Sequence, residues 1–534
     1  MGMAKLGISR RDFLMRVGQA GGYGAAFMTM RAMGLIAARA EAATPLAVAP
    51  GAGKGVKVAI LGGGIAGLVA AYEMKALGYD CTLLEARERP GGRNWSVRGG
   101  DKIVLNDGSV QTCTFDVGHY QNVGPARLPS VHDTMLGYCR KLGVALEVEV
   151  NTSRSSFLQN DKANGGKPVV QRQAINDTRG HVSELLAKCI GKGALDQELS
   201  KEDRDRMLSF LRKYGPLDDA CAYVGSERAG YAIKPGAGTE TGVLSKPIDM
   251  HTLLDEDFWY GMLFEESFDW QATMFQPVGG MDRIPYAFAR ALGETVQHGA
   301  PVTEIRRTAN GVRVSYTQGG MERQIEADYC VCGMPLTMLK KTANDFSARY
   351  KKVIEECVYA GSYKIAWESR RFWEQDYNIY GGLEFLNQGC SPVWFPSAGL
   401  FTERGVLVSG FEWDMRPAFD RLSLEEKFAE SRSAVERLHP GHGKELEKPI
   451  FVGWKQVPYN EGSWIDSYGP AENAESVELG AGYATLIEPD GPIYFVGDHV
   501  SHILGWQEGA ALSALRAVQM ISDRVKGSIK DVGA

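Results

Sequence analysis

The chain is 534 residues long, 44% hydrophobic and 23% charged, enough to bury a large core and divide into several regions. A net charge of −6 without a long basic run excludes nucleic-acid binding by phosphate neutralisation. Glycine and proline are scattered rather than periodic, which excludes a repeat array or a low-complexity chain.

Ser9-Arg10-Arg11-Asp12-Phe13-Leu14 reads as a twin-arginine export signal. A mildly apolar segment runs to Ala38, and Ala40-Glu41-Ala42 supplies a small-residue cleavage site. A transmembrane anchor is the competing reading, but Arg31 and Arg39 interrupt the segment. Residues 1–43 are thus expected to be a signal peptide and the mature protein periplasmic or secreted. No later run of about 18 apolar residues predicts stable membrane insertion.

After a Pro/Ala/Gly linker, Val56 to Leu61 reads as a buried strand, Ile65 to Leu77 as an Ala/Leu-rich helix and Tyr79 to Glu85 as a second strand. Residues 130–246 turn polar and helix-favouring, with Ser200 and Asp203 as a capping pair before Met207, Leu208 and Leu211. Alternation from Glu304 to Val331 predicts strands, as do Val353 to Trp367, Val406 to Trp413 and Ile493 to Val496. Ala510 to Val525 reads as a closing helix. Nine cysteines include no C-x-x-C pair. Cys330 and Cys332 read as small buried hydrophobes rather than a disulfide or metal site, and no metal site is predicted.

Gly62-Gly63-Gly64-Ile65-Ala66-Gly67 places G-x-G-x-x-G between the first strand and its helix. The first glycine permits the turn, the second lets backbone approach a pyrophosphate, and the third allows close helix–strand packing. The helix N-terminus then faces the anion. Glu85, closing the second strand, can accept hydrogen bonds from ribose hydroxyls. These elements in register predict a dinucleotide site. The following Ala86-Arg87-Glu88-Arg89-Pro90-Gly91-Gly92-Arg93 adds a second close approach and a cation for an extended cofactor.

Three separated segments resemble the flavin-containing amine oxidase family. They are Leu84 to Arg93, Val278-Gly279-Gly280-Met281-Asp282-Arg283-Ile284-Pro285, and Tyr494-Phe495-Val496-Gly497-Asp498-His499 with Gly505-Trp506-Gln507-Glu508-Gly509-Ala510. The resemblance covers about Lys57 to Val525 and implies an α/β fold. A Rossmann-like FAD-binding domain (55–129, 297–345 and 480–530) would intertwine with an α+β substrate-binding domain (247–296 and 346–479), with 130–246 as a helical insertion. It implies that Gly62, Gly64, Ala66, Gly67, Glu85, Ala86, Arg87, Gly92, Arg93, Val302, Asp498, Trp506, Gln507 and Ala510 bind FAD. Val302 would meet the adenine through its backbone, and Asp498 stands where the family more often has Glu. Covalent members carry Cys in a G-G-C-Y stretch; here it reads Glu461-Gly462-Ser463-Trp464, and serine cannot form the thioether, so FAD is expected to dissociate.

Asn122-Val123-Gly124-Pro125-Ala126-Arg127-Leu128-Pro129 is similar to the segment in which L-amino-acid oxidases hold the substrate carboxylate. Arg127 would grip it bidentately and fix which face of the Cα–H meets the flavin. The family's second carboxylate contact, a strand tyrosine, is missing from Val406 to Phe411. Lys364 matches the lysine that holds a water against flavin N5, and Gly505 and Trp506 would wall the amino group. His119, His499 and His502 have no spacing that supports a general base. The resemblance thus implies oxidation of L-amino acids by hydride transfer from Cα to flavin N5, and the aromatic-rich Trp394-Phe395, Trp413 and Trp464 suit bulky apolar or aromatic side chains. Dioxygen would be the second substrate, and 2-oxo acid, ammonia and hydrogen peroxide the products. An amine or polyamine oxidase without carboxylate recognition, or an amino-acid 2-monooxygenase, are the alternatives. A homodimer is left open.

Overall fold

β1 (Lys57–Leu61), α1 (Ile65–Ala76) and β2 (Asp80–Leu84) form the first βαβ unit. Val58 to Leu61 are all buried, the unbroken apolar run of a strand covered on both faces. β1 is central in a five-stranded parallel sheet, ordered Val296–Gln297, β2, β1, Tyr329–Cys332 and Ile493–Phe495. Three distant stretches of chain therefore build one sheet, the intertwined α/β arrangement expected. The closing helix, Gln507–Val532, packs on α1. Its buried residues Ala511, Ala514, Val518, Ile521 and Val525 recur every three or four positions, one helical face.

The computed structural model describes residues 46, 48–469 and 480–532, the side chains of 528–532 excepted. The proposed export signal and cleavage site lie outside the described residues. Among those described, no helix is long and apolar enough to cross a membrane.

A second, mixed sheet of seven strands runs Val169–Val170, Phe157–Gln159, Gly382–Leu386, Val393–Phe395, Arg404–Glu412, Tyr363–Arg370 and Glu447–Gly453. It carries Lys364 directly opposite Phe411, and Trp394 opposite Val408. A small three-stranded sheet has Met274–Pro277 in its middle, pairing Met274 with Pro129 on one side and with Glu149 on the other. That pairing brings the chain next to Arg127 level with the end of Leu146–Glu149.

Two expectations about elements change. Val353 does not begin a strand: Ala348–Glu356 is a helix, burying Tyr350, Val353 and Ile354 and leaving Lys351, Lys352 and Glu355 exposed. The i, i+3, i+4 spacing wins over the β-branched composition; strand structure begins with the short Val358–Tyr359, and the long strand at Tyr363. The 130–246 stretch holds the helices Asp133–Lys141, Gln171–Gly191 and Lys201–Tyr214, yet it also lends strands to both smaller and larger sheets. Ser200 does cap its helix, accepting from Asp203 N, and Leu211, Met207 and Leu208 pack with Ala187 and Ile190.

Candidate active site

The glycine turn after β1 is built for a close approach. Gly62 has φ +95°, and a Cβ on Gly67 would stand 2.0 Å from the Gly62 carbonyl oxygen, so both positions require glycine. A Cβ on Gly64 would meet nothing within 4 Å, which leaves its face open to a ligand at the α1 N-terminus. The second turn locks onto the first: Gly91 N donates to Gly63 O at 2.7 Å. Glu85 accepts from Gly63 N at 2.7 Å and from Arg87 N at 2.9 Å. These two N–H donors hold the carboxylate at the mouth of the turn while leaving lone pairs for a ribose.

One cavity of about 550 Å³ runs from this turn to the second sheet, and every residue singled out for cofactor or substrate lines it, Ala66, Ala86, Gly92, Val302 and Ala510 included. Asn94 Nδ2 donates to Gln507 Oε1 at 2.6 Å, tying the Arg93 turn to the closing helix. Arg93 forms a bidentate pair with Asp498 and also donates to Ser463 O. Burial pushes the Asp498 carboxyl up, but the Arg93 charge and hydrogen bonds outweigh it and hold it below the usual range. Gly505 N donates to the same carboxylate at 3.2 Å, so Asp498 fixes the loop that presents Trp506. Glycines and an anchored acid in this order fit a flavin dinucleotide. Gly62–Gly67, Glu85 and Arg93 could hold such a group, and Lys364 and Trp506 line the same cavity.

At the other end of the cavity Arg127 is 5% exposed. Its guanidinium carbon lies 4.4 Å from the Trp270 ring centroid and 4.3 Å from that of Trp394, a two-sided cation–π clamp. It donates to Asn151 Oδ1, and Asn151 Nδ2 donates to Trp270 O at 3.0 Å. No carboxylate lies within 4.0 Å of it among the described residues, and burial lowers its pKa to about 10. It therefore stays charged at neutral pH, with no anion in direct contact with its donors among the described residues.

Lys364 is 4% exposed and donates to the carbonyls of Asn122 at 2.8 Å and Gly124 at 2.6 Å. Burial, then the Arg127 charge, lower its pKa well below the ordinary lysine value. Two of its N–H groups are taken by those carbonyls, and its remaining bonding capacity is left for a partner in the cavity. Trp506 packs 5.0 Å from Trp270 and 4.9 Å from His132, whose Nε2 lies 3.0 Å from Asp269.

Of the three histidines weighed, His499 alone lines the cavity, and burial lowers its pKa to about 4, leaving it neutral. His119 faces Glu368 at 3.4 Å, and His502 packs on Tyr483. Asp116, His119 and Glu368 cluster within 4.8 Å, but Arg404 and Lys448 already pair with these carboxylates. Trp270, Asn151 and Ser362 were not legible as site residues.

The comparisons with known proteins agree with this geometry. Residues 65–522 match the family described as flavin containing amine oxidoreductase. The chain belongs to that family. This amine oxidoreductase is 25% identical over 485 residues to an L-amino-acid oxidase of Pseudechis australis, covering 87% of this chain and 86% of that one. An L-amino-acid oxidase of Naja atra is 26% identical over 487 residues, covering 87% of each. Among solved structures, a putrescine oxidase bound to putrescine superposes with TM-score 0.56 at 19% identity, covering 87% of this chain and 98% of that one. The cyclohexylamine oxidase of Brevibacterium oxydans IH-35A gives 0.56 at 15% identity, covering 89% and 99%. The fold is thus that of the flavin amine oxidases.

Proposed function

We propose that this flavin-containing amine oxidoreductase oxidises L-amino acids to 2-oxo acids, releasing ammonia and hydrogen peroxide. The observation that carries the reading is Arg127: a buried, charged guanidinium in the reaction cavity with no carboxylate within 4.0 Å of it among the described residues. A structural arginine at that depth would hold an acidic partner in direct contact, because hydrogen-bonded pairing is what makes a buried charge tolerable. A substrate carboxylate supplies an anion in contact, and a simple amine does not.

FAD, when bound, supplies the two-electron acceptor and reacts with dioxygen. The protein's part is placement and charge. Arg127 fixes the carboxylate, while Trp270 and Trp394 hold the guanidinium plane and so the direction in which Cα points. Trp506 and Gly505 wall the amino group. Lys364 holds a water at the reacting edge. No side-chain base is needed once the substrate amine is deprotonated, in keeping with the neutral His499. Trp413, Phe411 and Trp464 line the remaining wall, which suits bulky apolar side chains. Export by the twin-arginine route fits a protein that must fold around its cofactor first.

Ser463, where covalent relatives carry cysteine, has its hydroxyl committed: it donates to Ala360 O at 2.8 Å and accepts from Ser362 N at 3.0 Å. Flavin is therefore held without a covalent bond. Acid precipitation should leave the yellow colour in the supernatant; a coloured pellet would contradict this.

The function is tested with purified holoenzyme given L-phenylalanine, D-phenylalanine and phenethylamine, following peroxide, ammonia, 2-oxo acid and amide. Peroxide, ammonia and 2-oxo acid from L-phenylalanine, none from D-phenylalanine and only slow peroxide release from phenethylamine are expected. Amide with carbon dioxide would make it a monooxygenase instead.

A further inference from the structure

Glu149 ends the strand Leu146–Glu149 and is 3% exposed. Its Oε1 accepts from the Trp394 indole N–H at 3.2 Å, and its Oε2 has no hydrogen-bond partner. The same indole holds Arg127 Cζ 4.3 Å and Lys364 Nζ 5.3 Å from its ring centroid. Glu149 is the one carboxylate, among the described residues, whose charge acts on both. We propose that Glu149 is the resident counter-charge of Arg127 and takes up one proton from solvent when a substrate carboxylate docks on that arginine.

This rests on Arg127 being the carboxylate clamp. Burial and the Arg127 charge draw Lys364 toward the neutral amine, so Arg127 and Glu149 are the pair that offset each other in the free protein. A docked carboxylate makes two anions for one buried cation, and one of them must lose its charge. The substrate takes the guanidinium fork, whereas Glu149 keeps a single indole N–H, so the proton goes to Glu149 Oε2. Burial already pushes this carboxyl up to about 7 against the pull of Arg127, Trp394 and Lys364.

A route for the proton is present. Glu149 lines a second cavity of about 350 Å³, divided from the reaction cavity by Trp394 and Ala126. Its rim includes the exposed Val117, Gly118, Gly399 and Thr402, so solvent comes up to the wall that Glu149 forms without crossing the substrate. The other ionisable groups around Glu149 are accounted for. Tyr260 acts on Arg127, and Glu147 on the same strand accepts from Gln276 at 3.0 Å. Across the cavity are Tyr120, His119 and Arg404, the last two on Glu368, and Arg371 on Glu374.

The sign follows from linkage: carboxylate affinity is flat below the Glu149 value of the free enzyme and falls about tenfold per pH unit above it. The probe is benzoate, a carboxylate without an amine, titrated calorimetrically into holoenzyme in two buffers of different protonation enthalpy. At about pH 8, native enzyme should take up about one proton per benzoate, and Glu149→Gln close to none, with about tenfold tighter binding. Benzoate binding without proton uptake, or with a pH-independent Kd in native enzyme, overturns the role of Glu149 and needs no variant. Undiminished uptake in Glu149→Gln overturns it too, placing the proton on Lys364. No benzoate binding at all removes the Arg127 assignment, and this proposal with it.

Discussion

Replacing Arg127 with alanine should raise KM for L-phenylalanine steeply and lower kcat/KM about a hundredfold to a thousandfold, the loss of a buried, charge-assisted bidentate contact worth about 3–4 kcal/mol. The same change should leave phenethylamine oxidation within about threefold, since the amine offers no anion for the guanidinium. Arg127→Lys should fall between the two, because it keeps the charge but not the fork held between Trp270 and Trp394. Initial rates of peroxide release on both substrates read all three. An unchanged KM for L-phenylalanine in Arg127→Ala would refute the role given to this residue.

Gly67→Ala is expected to empty the enzyme of flavin. The added Cβ would stand 2.0 Å from the Gly62 carbonyl oxygen, which is backbone and cannot rotate aside, so α1 must move off β1. Overpacking of this kind costs about 1–3 kcal/mol, or about tenfold to a hundredfold in flavin affinity if it falls on the bound state. The ratio of flavin to protein absorbance after dialysis measures it. Full retention of flavin in Gly67→Ala would show that the turn does not need so close a contact.

These two residues also show where the amino-acid sequence is readable. Gly62, Gly67 and Glu85 declare themselves because strand, turn and helix are neighbours along the chain, and each glycine answers a local steric need. Arg127 is visible through the residues flanking it. What surrounds Arg127 is not, since Trp270, Asn151 and Glu149 reach it only through pairing of Met274–Pro277 with Leu128–Pro129 and Leu146–Glu149. Such registers are non-local, and nothing in the individual strands announces them. Val353 misleads for a different reason. Its apolar neighbours satisfy a strand by composition and a helix by spacing, and burial of Tyr350 and Ile354 on one side decides for the helix. The missing strand tyrosine near Phe411 acquires a structural counterpart: the arginine it would have helped is steadied by two indoles and an amide.

The most direct test is the ratio of kcat/KM for L-phenylalanine to that for phenethylamine, measured on native holoenzyme by peroxide release. Recognition of the carboxylate by Arg127 predicts a ratio of about a hundred or more. A ratio near one, with both substrates turned over well, would contradict it and leave this flavoenzyme an oxidase of simple amines.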